Sequence, residues 1–279
     1  MEISALDYRP ARGKCGSNRE RADVWGGAWR RSARRWELLA PLIASATGWR
    51  VWNPGRYGEP WHALFRGVYP LGVRPLLVFG LNPGPYGMAQ TGVPFTDIKR
   101  LRERLPNLAG QIRRRGGRLE VPGLAPPSLR AFLTRSFESS AVRVYRFLEL
   151  GWGSAEKGWK RVAVANSCSL LFMDPVDGGN RTPADLRPAA SRLKGDALAA
   201  RKLQEECDRL RRLAAQEAIE AVHPRGVILL GKDVQKALRD MLIRRLGREA
   251  VLGWEHPARA VPERWAGDLL DELRKRRWR

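Results

Sequence analysis

The chain has 279 residues, 43% of them hydrophobic, enough to bury a full core in one large domain or two small ones. It carries 51 Lys plus Arg against 29 Asp plus Glu, a formal net charge of +22 that comes almost wholly from arginine. Its cysteines, Cys15, Cys168 and Cys207, are far apart without CxxC spacing. That pattern excludes a disulfide framework, a zinc ribbon or an all-cysteine iron–sulfur cluster, and no apolar run reaches the roughly 18 residues of a membrane span.

In chain order, residues 1–35 place Gly13, Gly16, Gly26 and Gly27 among scattered charges and read as a basic, flexible arm; residues 36–279 read as a single domain. Arg34 to Thr47 has the apolar spacing of an amphipathic helix. Leu76 to Phe79 is a short continuous apolar run, the pattern of a strand buried on both faces of a parallel sheet. Arg113 to Pro127, arginine-rich and then proline-rich, reads as a basic surface loop. With Lys99, Arg100, Arg102 and Arg104 just upstream, it is either a solvated face or a track for a phosphate backbone. A helix follows over Ser139 to Leu150, then a second apolar run, Val162 to Ala165. Thr182-Pro183-Ala184-Asp185 is a helix-start signal: a hydroxyl cap, then proline at the first helical position, then a carboxylate. Helices over Asp196 to Ala221 and Lys232 to Leu246 bracket the run Val227 to Leu230. The run Val251 to Trp254 and a helix over Glu263 to Arg277 complete the chain.

Strands alternating with helices predict a three-layer α/β/α domain around a short, mainly parallel four-stranded sheet. In such sheets ligands lie beyond the carboxyl ends of the strands. Those ends lead here into Gly80 to Phe95, Asn166, Gly231-Lys232 and Glu255-His256-Pro257. The first, GLNPGPYGMAQTGVPF, packs four glycines and three prolines into sixteen residues, a tightly shaped loop whose backbone can approach a ligand closely. It lacks the lysine and spacing of a P-loop. Taken singly, Asn82 is a turn residue, Phe95 a core aromatic, Asn166 a strand-end turn residue and His256 a structural His-Pro like His223-Pro224. As a carboxamide, however, Asn166 can match the O4 and N3–H edge of uracil.

Taken together, the Gly80–Phe95 loop, Asn166 and His256 resemble the single-strand-selective monofunctional uracil-DNA glycosylases. The loop is similar to that family's first motif almost letter for letter, with Leu81 and Tyr86 as mild substitutions. The resemblance runs from about Val51-Trp52-Asn53-Pro54, through Asn166 to Phe172 and Asn180 to Leu186, into the last helix. It implies a uracil-DNA glycosylase fold for residues 36–279 and a metal-free, cofactor-free hydrolysis of the N-glycosidic bond that leaves an abasic site. By position, Asn82 and His256 would be catalytic, Asn82 orienting water and His256 stabilising charge on the departing base's O2. Phe95 would stack on the flipped base and Asn166 would bind its Watson–Crick edge, while Gly84 and Met88 would flank position 5, where the family accommodates a hydroxymethyl group. The sequence after His256-Pro257 is shorter than the family's usual wedge. Arg259, with Arg264 behind it, is the expected DNA contact there, and the alternative is that both simply begin the last helix.

The resemblance implies single- and double-stranded DNA bearing uracil-type lesions as partner, a monomer, and a location with DNA: cytoplasmic at a bacterial nucleoid, or nuclear in a eukaryote. The alternatives are a glycosylase for deaminated purines such as hypoxanthine or xanthine, and a non-catalytic nucleic-acid-binding protein on the same fold. Trp25, Trp29, Trp36 and His62 are expected to pack rather than to act on a base.

Overall fold

The four apolar runs form one sheet because every second side chain has an apolar layer to enter on either side. The computed structural model describes residues 18–114, 137–259 and 261–278. A long helix α1 (Asn18–Thr47) leads into strand β1 (Arg50–Trp52) and helices α2 (Pro54–Tyr57) and α3 (Glu59–Val68). Strand β2 (Leu76–Gly80) is followed by the helical turn α4 (Met88–Thr91), then α5 (Ile98–Arg104) and α6 (Pro106–Arg114). Next come α7 (Ser139–Trp152), α8 (Ala155–Trp159), β3 (Val162–Asn166), β4 (Leu171–Met173) and β5 (Asn180–Arg181). Then α9 (Leu186–Lys194), α10 (Ala197–Val222), β6 (Gly226–Leu230), α11 (Lys232–Leu246), β7 (Val251–Trp254) and α12 (Pro262–Lys275) close the chain.

The main sheet has the order β3-β2-β6-β7, and every pairing in it is parallel. Leu76, Val78, Val162, Val164, Ile228 and Leu230 enter one core with Phe147, Trp159 and Trp265. The alternate residues, Leu77, Phe79, Ala163, Ala165, Val227 and Leu229, enter a second core with Trp25, Trp29, Ile219 and Leu238. This period-2 division is the physical content of the three-layer expectation. A smaller antiparallel sheet, β1-β4-β5, which the sequence pattern does not announce, packs with Trp36, Ile43 and Leu210 in a third cluster.

The expected flexible arm needs correction within the described residues. Helix α1 begins at Asn18, and Trp25, Ala28, Trp29 and Trp36 are all buried. Gly26-Gly27 reads as a helix breaker locally, but tertiary contact overrides it. A Cβ at Gly26 would lie 2.7 Å from the Arg66 guanidinium, so a glycine here lets α3 come close. Trp29 stacks on His62 with centroids 3.7 Å apart and donates its indole N–H to the Gly55 carbonyl at 2.9 Å. Burial, with the Arg66 charge adding to it, holds His62 well below the usual imidazole range, and His62 Nδ1 takes the Arg66 guanidinium. Both side chains pack, as expected. Trp29→Ala should therefore cost about 3–5 kcal/mol of stability, read from the midpoint of urea unfolding. An unchanged midpoint would return this helix to the status of an appendage. Residues 1–17 of the expected arm lie outside the described residues.

Candidate active site

Register brings the strand ends to one level. Gly80 is opposite Asn166 in the β2–β3 ladder, and Leu230 is opposite Trp254 in β6–β7. The hydrogen bonding continues past the strands: Ser167 N–H donates to the Gly80 carbonyl at 2.9 Å and Cys168 N–H to the Leu81 carbonyl at 3.0 Å. Ser167 Oγ donates to the same Leu81 carbonyl and receives the buried Arg211 Nε–H, whose guanidinium also reaches the Asp233 carbonyl. The start of the glycine-rich loop is thereby tied to β3 and to the first turn of α11.

Beyond these ends lies a cavity of about 410 Å³, within the size range of small-ligand sites. Asn82, Gly84, Met88, Phe95, Asn166 and His256, which come from distant stretches of the chain, all line it. At the end of β2, behind two of these lining side chains, Gly80 has room for hydrogen alone: a Cβ would sit 2.6 Å from both Asn166 Oδ1 and the Phe95 ring. Phe95 is buried and holds a left-handed backbone, φ 54°, a conformation that costs a bulky residue about 1–3 kcal/mol and persists only where its surroundings dictate it. Asn166 donates an amide N–H to Met88 Sδ at 3.2 Å, which places Met88 beside its carboxamide.

Asn82 donates from Nδ2 to the Arg181 carbonyl at 3.1 Å, leaving Oδ1 as the atom able to accept from a water. Arg181 is itself held by Asp174 and Asp177. At His256, Nδ1 accepts the Ala258 backbone N–H at 3.2 Å, so the ring proton resides on Nε2 and the imidazole is a neutral donor. The ring packs against Gly231, whose built Cβ would be 3.4 Å from His256 Cδ2.

Sequence reasoning missed Glu138, which also lines the cavity, together with Phe137 and Ser140. Its backbone N–H donates to the buried Asp97 carboxylate at 2.8 Å. Asp97 also caps α5 by accepting the Arg100 N–H at 2.7 Å. Burial pushes the Glu138 carboxyl up to about 7; the nearby Asp97 charge adds to the rise and a Ser140 hydrogen bond opposes it. Locally Glu138 is merely an acid at the start of an amphipathic helix, and only tertiary structure carries it to the loop.

The expected DNA contacts fare differently. Arg264 lies on α12, is 84% exposed at its side chain, pairs with Asp268 at 3.7 Å, and does not line the cavity. The backbone of Arg259 ends a short 3-10 turn, Pro257–Arg259, two residues before α12's cap at Val261, and its side chain lies outside the description. Upstream of the expected basic loop, Arg100 is engaged by Asp97, Lys99 by Glu103 and Arg104 by Glu149. Those three cations are partly spent within the fold, whereas residues 115–127 of the loop lie outside the described residues.

A parallel sheet thus sets an amide, a ring, a second amide and an imidazole around one cavity beyond its strand ends, the place of a ligand site in an open α/β fold. The profile of the uracil DNA glycosylase superfamily matches residues 67–276, and the chain belongs to that superfamily. It is 31% identical over 216 residues to the single-strand selective monofunctional uracil DNA glycosylase of Bos taurus, covering 76% of this chain and 71% of that one. The counterpart from Rattus norvegicus is 31% identical over 215 residues, covering 76% of this chain and 69% of that one. A crystal structure of wild-type Pedobacter heparinus SMUG2 superposes with a TM-score of 0.58 at 20% identity, over 82% of this chain and 88% of that one, and supports the fold.

Proposed function

We propose that this protein is a monofunctional uracil-DNA glycosylase that draws a uracil out of DNA and hydrolyses its bond to the sugar, leaving an abasic site in an intact strand. The observation that carries this reading is the convergence of Asn82, Phe95, Asn166 and His256 on one cavity, roomy enough to admit an extruded base. Phe95 offers a ring face to the extruded base, and the Asn166 carboxamide offers a donor for O4 and an acceptor for N3–H. Uracil departs as an anion while the sugar becomes cationic, so the site must stabilise charge more than it must supply a strong nucleophile. His256 Nε2–H is the donor for O2, fixed in that tautomer by Ala258. Asn82 Oδ1 holds the attacking water, its amide turned by the Arg181 tether.

No lysine lines the cavity among the described residues, which agrees with hydrolysis rather than a Schiff-base mechanism. The net charge of +22 supplies phosphate attraction for single- and double-stranded DNA. Activity as a monomer, and residence wherever the genome is held, belong to this reading. The 31% identity to named uracil-DNA glycosylases favours it over a purine-specific relative or a non-catalytic binder.

The test is a panel of oligonucleotides with single lesions, uracil, 5-hydroxymethyluracil, hypoxanthine and xanthine, each in single- and double-stranded form. Uracil release with strands left unbroken before alkali is the expected result. Release of purines alone, or of no base at all, would overturn it. Asn82→Asp refines the role of the water ligand. An aspartate is more basic, but it sets an oxygen against the Arg181 carbonyl at the 3.1 Å now bridged by an N–H. The single-turnover rate is expected at or modestly above wild type, and a fall of about tenfold or more would make the tether, about 1.4 kcal/mol in barrier, the dominant function of Asn82.

A further inference from the structure

Glu138 is the one acid among the described residues lining the cavity, and the chemistry above does not use it. Its carboxyl lies flat against the glycine-rich loop: a Cβ at Gly84 would fall 2.1 Å from Oε1, and one at Gly87 would fall 1.9 Å from Oε2. The two glycines thus give the carboxyl access to the side of the pocket they form. That side can be placed by its neighbours. Asn166, positioned for the O4 and N3 edge, donates to Met88 Sδ, and Met88 follows Gly87 directly. The next ring atom beyond the carbon bearing O4 is C5, so the Gly84–Met88 wall faces position 5.

We propose that Glu138 is a specificity-determining residue whose carboxyl reads the substituent at position 5 of the bound pyrimidine. This rests on the uracil-glycosylase reading and extends it. A 5-hydroxymethyl group brings a hydroxyl that can exchange a hydrogen bond with the carboxyl. Hydrogen at position 5 leaves space for a water to do the same. A 5-methyl group, as in thymine, does neither and caps a polar group with hydrocarbon. A pocket built to hydrogen-bond a hydroxyl rejects the analogue lacking it far more strongly than a merely apolar pocket would. With its pKa near 7 the carboxyl also retains a proton for part of the time at neutral pH, which lessens repulsion toward the departing pyrimidine anion.

The experiment measures single-turnover release of uracil, 5-hydroxymethyluracil and thymine from matched oligonucleotides by wild type, Glu138→Ala and the isosteric Glu138→Gln. In Glu138→Ala the ratio of 5-hydroxymethyluracil to uracil release should fall about tenfold or more, and thymine release should rise relative to uracil. Glu138→Gln, which keeps the size and one acceptor, should keep most of the 5-hydroxymethyluracil preference. Unchanged ratios, or rates falling in parallel for every base in both variants, would overturn the proposal and leave Glu138 a prop for the loop. So would a wild type that releases uracil but no 5-hydroxymethyluracil. A wild type that releases no uracil is a different result, and it removes the parent reading instead.

Discussion

His256→Ala is expected to lower single-turnover uracil release by roughly 100- to 1000-fold, about 3–4 kcal/mol in barrier, while leaving DNA affinity largely intact. The size follows from timing. The Nε2–H donor gains most of its value as negative charge accumulates on the base O2, so its loss falls on the transition state rather than on the bound ground state. The donor is preorganised: Ala258 N–H fills Nδ1 and Gly231 flanks the ring, so no reorientation is needed as the bond breaks. Affinity, in contrast, comes mainly from arginine–phosphate attraction that one neutral imidazole hardly alters. Release should be followed by rapid quench and binding by anisotropy on DNA with an uncleavable analogue. A fall below tenfold, or a matching loss of affinity, would remove His256 from this role.

Gly80→Ala should be nearly as damaging although Gly80 contacts no base in this reading. The added methyl would sit 2.6 Å from Asn166 Oδ1 and from the Phe95 ring, closer than side-chain atoms approach. Neither neighbour has an easy escape. Phe95 is buried in an already strained left-handed backbone, and Asn166 belongs to the strand paired with Gly80 itself. The stacking ring and the reading amide are displaced together. Misplacement on the scale of 1 Å costs on the order of a hundredfold in rate. Overpacking costs stability as well, about 1–3 kcal/mol, so the variant should remain folded at moderate temperature with an unaltered far-ultraviolet circular dichroism spectrum. Normal activity in that folded variant would mean that the pair is not held as described.

The two outcomes probe different parts of what the chain encodes. The four parallel strands were legible because burial on both faces writes a continuous apolar run, and Val251–Trp254 matches its expected bounds at both ends. Helix Lys232–Leu246 was legible too, since its apolar stripe recurs at helical spacing between two glycines. The last eighteen residues of the expected arm were not: Asn18 to Arg35 look polar and broken by Gly26-Gly27, and only the layer formed by α3 and the sheet makes a helix there profitable. The small helices α5 and α6 read as a basic stretch because their charge is visible along the chain; Asp97 and Glu103, which engage Arg100 and Lys99, are near in sequence, whereas Glu149, which engages Arg104, is brought there only by the fold.

Within the site, the kinds of side chain and the strand ends that carry them were determined by the sequence alone, because a parallel sheet sends its carboxyl ends to one edge and a glycine-proline loop of that composition has few shapes. Tertiary structure decided the orientation of each group. Asn82 is turned by a carbonyl 99 residues away, at Arg181, and the acid facing the loop is Glu138. Local pattern records what a residue's own neighbours along the chain require of it; a hydrogen-bond partner or a burial-raised carboxyl depends on which distant atoms exclude water there, and that exists only once the layers have closed.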